Sequence, residues 1–243
     1  TEHDLVSYWA LDGSVPALKF ITGSPNEIVN IPIAGTSILS SDFSLGFWIN
    51  GDSGWDTNWG GVWMSSSTTG GSTYLQGFLI AFGRMLYGQS EQGTPYTTMY
   101  FGGAPSFNEW HYKLLTYDES SKLLTLYIDG VSAGTSTALY SLEPADRIQV
   151  GSEGYGTHFS ASKLAIWDRT LTSTEALDIF NNGISSDVTS VVSSNLTGYW
   201  KLDNASSFPD SVGSNDGAIY AGTPELSGAI LDKTSNNNDG VLR

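Results

Sequence analysis

The chain has 243 residues, of which 40% are hydrophobic and 12% aromatic, enough for one large domain or one domain plus a fragment. Lys and Arg total 10 against 25 Asp and Glu, and the net charge of −15 argues against nucleic acid and anionic membranes as partners. The absence of cysteine excludes disulfides and thiolate metal sites, and no apolar run of 18 residues predicts a membrane span.

Period-two alternation of apolar residues predicts that most of the chain forms short, half-buried antiparallel strands. In chain order, strands are predicted at Leu5–Leu11, Glu27–Ile31, 43–49 (FSLGFWI), Leu75–Phe82, Met99–Phe101, 110–118 (WHYKLLTYD), 122–130 (KLLTLYIDG), Arg147–Val150 and Ser162–Trp167. Asp129-Gly130 predicts a two-residue turn into a further strand. Many short strands separated by turn residues indicate an all-β fold, either a sandwich or a jelly roll.

One short helix is predicted near residues 173–182. Thr172 and Glu175 have the spacing of a capping box, apolar residues follow at helical spacing, and Gly183 stands where a helix would end. Such a helix is expected to cover one end or edge of the sandwich.

An eight-residue segment occurs twice. LVSYWALD at residues 5–12 returns as LTGYWKLD at residues 196–203, an offset of 191 residues. This repeat predicts a domain at 1–184, a polar linker at 185–195, and a partial second repeat or docking tail at 196–243. The last 48 residues are too few to build a core of their own.

Several of these segments, taken together, resemble a known family. SYWALDG, ALKFITGSPNEIVNIP, DFSLGFWING, EWHYKLLTYDESSKLLTLYIDGVSAG, RIQVGS and SASKLAIWDRTLTSTEALDIFNNG follow one another as they do in laminin-G-like, concanavalin-A-like jelly rolls. The resemblance covers residues 5–183. It implies two antiparallel sheets stacked face to face, a curved outer face, and a short helix near the end.

The sequence departs from this family at one loop. The Asp- and Asn-rich loop that the resemblance implies after the first strand is missing, because Asp12 is followed almost directly by Ala17. Loops of that kind stand instead in the tail, DSVGSNDG at 210–217 and DKTSNNNDG at 232–240. The tail is therefore predicted either to add strands to its own domain or a neighbouring copy, or to be part of a tandem array or a truncated chain.

The resemblance also implies a structural calcium ion near the first strand, its acidic loop and the last strand. The residues at matching positions are Asp12 and Asp168, with Asp203, Asp210, Asn215 and Asp216 as equivalents in the tail. Carboxylate and amide oxygens suit calcium, although Asp and Asn beside Gly are also common turn formers.

Aromatic residues in polar loops predict a carbohydrate site. In GDSGWDTNWGG, Trp55 and Trp59 stand beside Asp56 and Asn58, and two further loops carry Tyr96 and Tyr155. An exposed ring can stack on the apolar face of a sugar while amides and carboxylates bind its hydroxyls. The alternative is that Trp59 or Trp63 covers the sandwich end. Trp48, Trp110, Trp167 and Trp200 stand in predicted strands and are expected to be packing residues.

No catalytic arrangement is predicted. Carboxylates do not recur at the alternate strand positions that glycan hydrolysis would use, and no motif supplies partners for His3, His111 or His158. The expected function is a non-catalytic extracellular binding or adhesion module that recognises a glycan or cell-surface polysaccharide. The alternative is a structural subunit of a virion, fibre or surface layer, whose tail contacts other copies.

Overall fold

A computed structural model of the protein describes residues 15–21, 27–33, 40–53, 60–67, 74–89, 97–139, 141–142, 144–152, 158–227, 229–230 and 240–241. The elements in chain order are β1 (Ala17–Ile21), β2 (Glu27–Pro32), β3 (Phe43–Gly51), β4 (Gly61–Ser67), β5 (Tyr74–Ala81), β6 (Met85–Gln89), β7 (Thr97–Phe101), β8 (His111–Asp118), β9 (Leu123–Ile128), β10 (Val131–Thr137), β11 (Arg147–Ser152), β12 (His158–Trp167), α1 (Ser173–Asn182), a 3₁₀ turn (Val188–Ser190), β13 (Leu196–Trp200), β14 (Ala218–Ala221), β15 (Glu225–Ser227), β16 (Ala229–Ile230) and β17 (Gly240–Val241). Within these ranges, no helix is long and apolar enough to cross a membrane.

The strands form two antiparallel sheets, as the sequence predicts. The eight-stranded sheet has the order β10-β9-β8-β3-β12-β1-β15, with β13 also paired to β12. The seven-stranded sheet has the order β14-β2-β11-β4-β5-β6-β7, and β16 pairs with β17 apart from both. The predicted helix is confirmed at Ser173–Asn182 with its capping box, and Asp129 and Gly130 both have the positive φ of the predicted turn.

The main core lies between the two sheets. Alternate residues of each inner strand point into it, for example Phe43, Leu45, Phe47 and Ile49 of β3, all of them inaccessible or nearly so. Residues at the same spacing on β11 and β5 face them from the seven-stranded sheet. The period-two pattern of the sequence therefore corresponds to real inward-facing rows.

The prediction that strands are half-buried is wrong for β8, which is buried on both faces. The outer face of the eight-stranded sheet carries a second apolar cluster in which Trp48, Tyr112 and Trp167 pack under Ala176 and Ile179 of α1. The helix therefore covers part of the sheet surface rather than only an edge of the sandwich.

A bulge in β12 sets which residues face each cluster. Between Ser162 and Ala165, β12 contains one residue more than its partner β3, and Lys163 there has φ 54°. Ala161 and Leu164 consequently both face the main core, although they are three residues apart. The extra residue shifts the alternation by one position for the rest of the strand.

Three strands of the tail, β13, β14 and β15, belong to the same sandwich. Strand β13 pairs with β12, β14 with β2, and β15 with β1. Strands β1 and β13 pair with different halves of β12 along one edge, with Leu18 opposite Ala161 and Trp200 opposite Leu164. The proposed boundaries at 184 and 195 stay a prediction, and so does self-association.

Candidate functional site

The sequence-predicted ligand residues lie outside the described part of the chain. This applies to Trp55, Asp56, Asn58, Trp59, Tyr96 and Tyr155. Of the tryptophans expected to pack, Trp48, Trp167 and Trp200 are buried, whereas Trp110 is only half-buried. Trp63 lies within β4, where it packs on Leu79 and Ala81 on the outer face of the seven-stranded sheet.

A cavity of about 280 Å³ opens beside Trp110 on the outer face of the eight-stranded sheet. It is lined by Val15, Asn50, Asp52, Asn108, Trp110, Ser160 and Ser227. These residues come from the segment before β1, the end of β3, the loop before β8, the start of β12 and the tail strand β15. The site is thus assembled from five separate stretches of the chain.

The chemistry of the cavity combines one aromatic ring with many hydrogen-bonding groups. Asn50 and Asn108 each supply an amide donor and acceptor, Ser160 and Ser227 supply hydroxyls, and Asp52 supplies a carboxylate. An apolar surface with a few converging polar groups is typical of small-molecule binding sites. The volume is at the small end for such sites and leaves room for about one sugar ring.

The side chains of Lys19 and His158 flank Asp52. Lys19 Nζ lies 3.4 Å and His158 Nδ1 lies 3.9 Å from Asp52 Oδ2. Burial lowers the pKa of His158, and the charge of Asp52 opposes part of that effect. These contacts orient the carboxylate at the cavity wall, where it can accept hydrogen bonds from a ligand.

The loop that carries Asn108 and Trp110 is held against the end of β3. Asn108 donates its backbone N–H to the carbonyl of Gly51 at 2.9 Å, and its Nδ2 donates to Ser53 Oγ at 3.4 Å. Its φ of 61° lies in the left-handed region, which Asn tolerates better than most residues. This wall of the cavity is therefore preorganised.

A Ser–His–Asp array lies behind this loop, which the sequence analysis did not foresee. His111 Nδ1 is 2.6 Å from Asp129 Oδ2, and His111 Nε2 is 3.1 Å from Ser106 Oγ. However, Nε2 also faces the Ser106 carbonyl oxygen at 3.0 Å, and Ser106 Oγ donates to Glu109 Oε2. Ser106 Oγ thus directs its proton to Glu109, and His111 Nε2 also lies beside a backbone carbonyl oxygen, so this array differs from one in which the histidine accepts the serine proton.

The Ser106–His111–Asp129 array instead connects the loop to the hairpin turn. Asp129 Oδ1 also accepts the backbone N–H of Tyr112 at 2.9 Å. The array therefore ties the residues just before β8 to the turn between β9 and β10, and it supports the position of Trp110 from behind.

The tail completes the cavity. Ser227 Oγ donates to the carbonyl of Ala17 at 3.2 Å and lies 3.3 Å from Ser160 Oγ. Because β15 is the edge strand beside β1, its docking brings Ser227 to the cavity wall. No local signal in the sequence could have placed residue 227 beside residue 160.

The predicted calcium ligands are only partly brought together. Asp12 lies outside the described residues, Asp168 is exposed, and Asp203 is half-buried. Asp210, Asn215 and Asp216 lie in one tail loop. There Asp210 accepts four backbone N–H groups, those of Tyr199, Val212, Gly213 and Asn215, at 2.9–3.3 Å.

Through these hydrogen bonds Asp210 organises its own loop. Asp216 Oδ1 in turn accepts the backbone N–H of Asp210 at 2.9 Å. Within the described ranges, no group of three or more His, Cys, Asp or Glu side chains is arranged to hold a metal ion. Calcium binding stays a prediction.

Comparison with protein families gives a match over residues 25–176 to the concanavalin A-like lectin/glucanases superfamily. Comparison with curated protein sequences gave no match. Among solved structures, a candidate carbohydrate binding protein from Bacteroides ovatus ATCC 8483 is similar with a TM-score of 0.60 and 14% identity. The alignment covers 88% of this chain and 60% of that one.

Two further structures share the fold at comparable distance. The binding domain of botulinum neurotoxin DC, in complex with SialylT, has a TM-score of 0.53 and 14% identity, with 72% of this chain and 44% of that chain covered. A heptameric SAP-like pentraxin from Limulus polyphemus has a TM-score of 0.51 and 13% identity, with 80% and 95% covered.

Proposed function

Given that the chain belongs to the concanavalin A-like lectin/glucanases superfamily, we propose that it is a non-catalytic carbohydrate-recognition module. Its ligand is a glycan or polysaccharide outside the cell, and the module acts at an extracellular or surface location. The cavity beside Trp110 binds one sugar residue of that glycan.

The observation that carries the proposal is the combination of Trp110 with polar groups in one small cavity. A half-buried indole offers an apolar face, while Asn50, Asp52 and Asn108 offer donors and acceptors at its border. A sugar ring has the matching division, with axial C–H groups on its faces and hydroxyls around its rim. The similar structures from Bacteroides ovatus and of the neurotoxin domain, whose names refer to carbohydrate ligands, add support at the level of the fold.

Two features favour recognition over hydrolysis. Glycan cleavage uses a pair of carboxyl groups roughly 5–10 Å apart across the sugar, and among the described lining residues Asp52 is the only carboxylate. The second feature is the arrangement of His111, whose ring is used to connect two loops. We therefore propose that the chain is one of the members of its superfamily that bind glycans without cleaving them.

The aromatic loop predicted from the sequence extends this proposal. Asp52 lines the cavity, and Trp55 follows it by three positions in the sequence. We propose that these two indoles contact further sugar residues of the same glycan. Replacing both with Ala should abolish glycan binding and leave the melting temperature nearly unchanged.

The test is a glycan array, followed by affinity measurements on the best-bound glycan. We expect Trp110→Leu and Asp52→Asn to weaken binding by at least ~10-fold, which corresponds to about 1.4 kcal/mol. Trp63→Leu is the matched control, because Trp63 is also half-buried but lies on the outer face of the other sheet. Its affinity should equal that of the unmodified protein.

Two results would contradict the proposal. The first is a folded protein that binds no glycan on the array. The second is loss of binding in Trp63→Leu with full binding in Trp110→Leu, which would place the ligand on the seven-stranded sheet. Release of sugar products from the bound polysaccharide would contradict the non-catalytic assignment alone.

A further inference from the structure

The repeated segment occurs twice in the sequence, and the structure describes the position of the second copy only, on the edge of β12. Residues 196–203 and 5–12 agree at five of eight positions, including the Tyr-Trp pair and the Leu-Asp pair. In the structure, β13 occupies the edge of β12 at Leu164–Trp167, and Leu202 packs into the main core. We call this edge of β12, together with the core space filled by Tyr199, Trp200 and Leu202, the acceptor edge.

We propose that the acceptor edge can take either copy, and that Leu5–Asp12 of the same chain is the second occupant. The residues that supply most of the buried apolar surface are the shared ones. Tyr199 and Trp200 are fully buried and Leu202 is 2% exposed, and Tyr8, Trp9 and Leu11 have the same order and spacing. The first copy could therefore make the same main apolar contacts.

The chain can reach the acceptor edge from its N-terminal side. Strand β1 lies end to end with β13 on β12, and both run antiparallel to it. Leu18 pairs with Ala161, and Trp200 pairs with Leu164, three positions further along β12. That span is about 10 Å, whereas Leu18 follows Trp9 by nine positions in the chain, a length that reaches up to roughly 30 Å. The excess length is enough for a loop between the two strands.

Differences between the copies explain why the tail copy occupies the edge. A Cβ at Gly198 would lie 2.4 Å from the Trp200 ring, and the first copy has Ser7 at this position. Thr197 Oγ1 donates to the Ile166 carbonyl at 3.2 Å, where the first copy has Val6. Each difference favours the tail.

The tail copy also has electrostatic and loop contacts that the first copy lacks. Lys201 Nζ is 3.1 Å from Asp187 Oδ2, and the equivalent residue is Ala10. Asp210, in the loop after the tail copy, accepts the backbone N–H of Tyr199 at 3.0 Å. The first copy has no equivalent of this loop, because only four residues separate Asp12 from β1. The first copy is thus a weaker competitor that would occupy the edge when the tail is weakened or withdrawn.

The first test is a double-mutant cycle with Trp9→Ala and Trp200→Ala, read as melting temperature. In the intact chain, Trp9→Ala should shift the melting temperature by less than ~1 °C, because β13 already occupies the edge. In the Trp200→Ala background, Trp9→Ala should lower the melting temperature by ~4 °C or more, because the first copy then occupies the acceptor edge and Trp9 supplies the buried indole. Equal effects of Trp9→Ala in both backgrounds would overturn the proposal.

The second test uses the absence of cysteine in the chain. Lys163 and Lys201 are neighbours across the edge, with the Lys163 N–H donating to the Lys201 carbonyl at 3.0 Å. Lys163→Cys with Lys201→Cys should form a disulfide in nearly all molecules. Lys163→Cys with Ala10→Cys should form little disulfide. When Gly198→Ser and Ser7→Gly are added to this pair, the residue that fits beside the Trp ring is in the first copy, and the disulfide should form.

The exchanged variant keeps the test valid even if Trp200→Ala does not fold. The expected product is a monomer with a disulfide between positions 10 and 163. No disulfide in the exchanged variant would overturn the proposal, and a disulfide found only in dimers would overturn the assignment of the second occupant to the same chain.

Discussion

Lys113 gives the sharpest prediction for stability, because its side chain is fully buried between the sheets. Its Nζ donates to the carbonyls of Ala81 and Phe82, each at 2.7 Å. Burial lowers the pKa of Lys113 from 10.5 to about 7, and the charge of Asp129 opposes part of that effect. We predict that Lys113→Met removes a large part of the dependence of stability on pH in this range.

The sign follows from proton binding. Between about pH 7 and 10.5 the unfolded chain keeps the proton on Lys113 and the folded chain does not, so stability rises with pH across this window. At about 1.4 kcal/mol per pH unit, a rise from pH 6 to pH 9 should stabilise the unmodified protein by about 3 kcal/mol through Lys113 alone. The folded form of Lys113→Met has no such group and lacks this contribution.

The measurement is the free energy of unfolding by urea at pH 6 and pH 9 for both proteins. Other titrating groups are common to the two and cancel in the difference, provided they act independently of residue 113. Lys122→Met, in the hairpin between β8 and β9, is the control for losing a lysine, and it should keep the slope of the unmodified protein. A slope in Lys113→Met equal to that of the unmodified protein would refute the reasoning.

Three further predictions concern the helix cap, a buried hydroxyl and calcium. Hydrogen bonds from Arg169 are the main cause that lowers the pKa of Glu175 to about 2. Glu175→Gln should therefore lower the free energy of unfolding by about 1 kcal/mol at pH 6. Urea titrations should show that this difference between the two proteins decreases as pH falls from about 4.5 towards 2. Tyr112→Phe should stabilise by about 1 kcal/mol because the buried Tyr112 hydroxyl has no hydrogen-bond partner among the residues that the structure describes. A Cβ at Gly46 would lie 2.1 Å from that hydroxyl, so Gly46→Ala should destabilise the protein by about 2 kcal/mol. Adding Tyr112→Phe should restore part of that stability, and no restoration would argue against this contact. Added calcium should raise the melting temperature above that in chelator, and identical values would count against the predicted calcium ion.

Local signals account for what the sequence predicted well. The alternation in β8 and β9, the positive-φ turn at Asp129-Gly130 and the capping box of α1 each depend on residues within a few positions of one another. Such features are encoded in spacing and residue type, and they appear in the structure at or near the expected positions.

Long-range packing accounts for what the sequence did not predict. Period-two alternation puts Lys113 on the same face of β8 as His111 and Tyr117, but it does not show that this face is buried in the core. Nor did it show that α1 covers the opposite face of β8, or that a bulge at Lys163 shifts β12. Each depends on which distant element packs against the strand.

The candidate cavity shows the same limit more strongly. Its residues are scattered from position 15 to 227, and each looks ordinary in its own segment. The sequence predicts Trp110 as a packing residue because it stands in a predicted strand, and it does contact the outer cluster. Only the fold shows that it also borders a polar opening.

The position of Ser227 joins ligand binding to the docking of the tail. If the docked tail raises the affinity of the cavity for a sugar, then by thermodynamic reciprocity the sugar must hold the tail in place with the same coupling free energy. Saturating ligand would then slow the release of β15 and protect the amides of β15 and β1 from hydrogen exchange. A soluble glycan would in this way stabilise the docked edge strand β15, and a partner that pulls on the tail would weaken glycan binding.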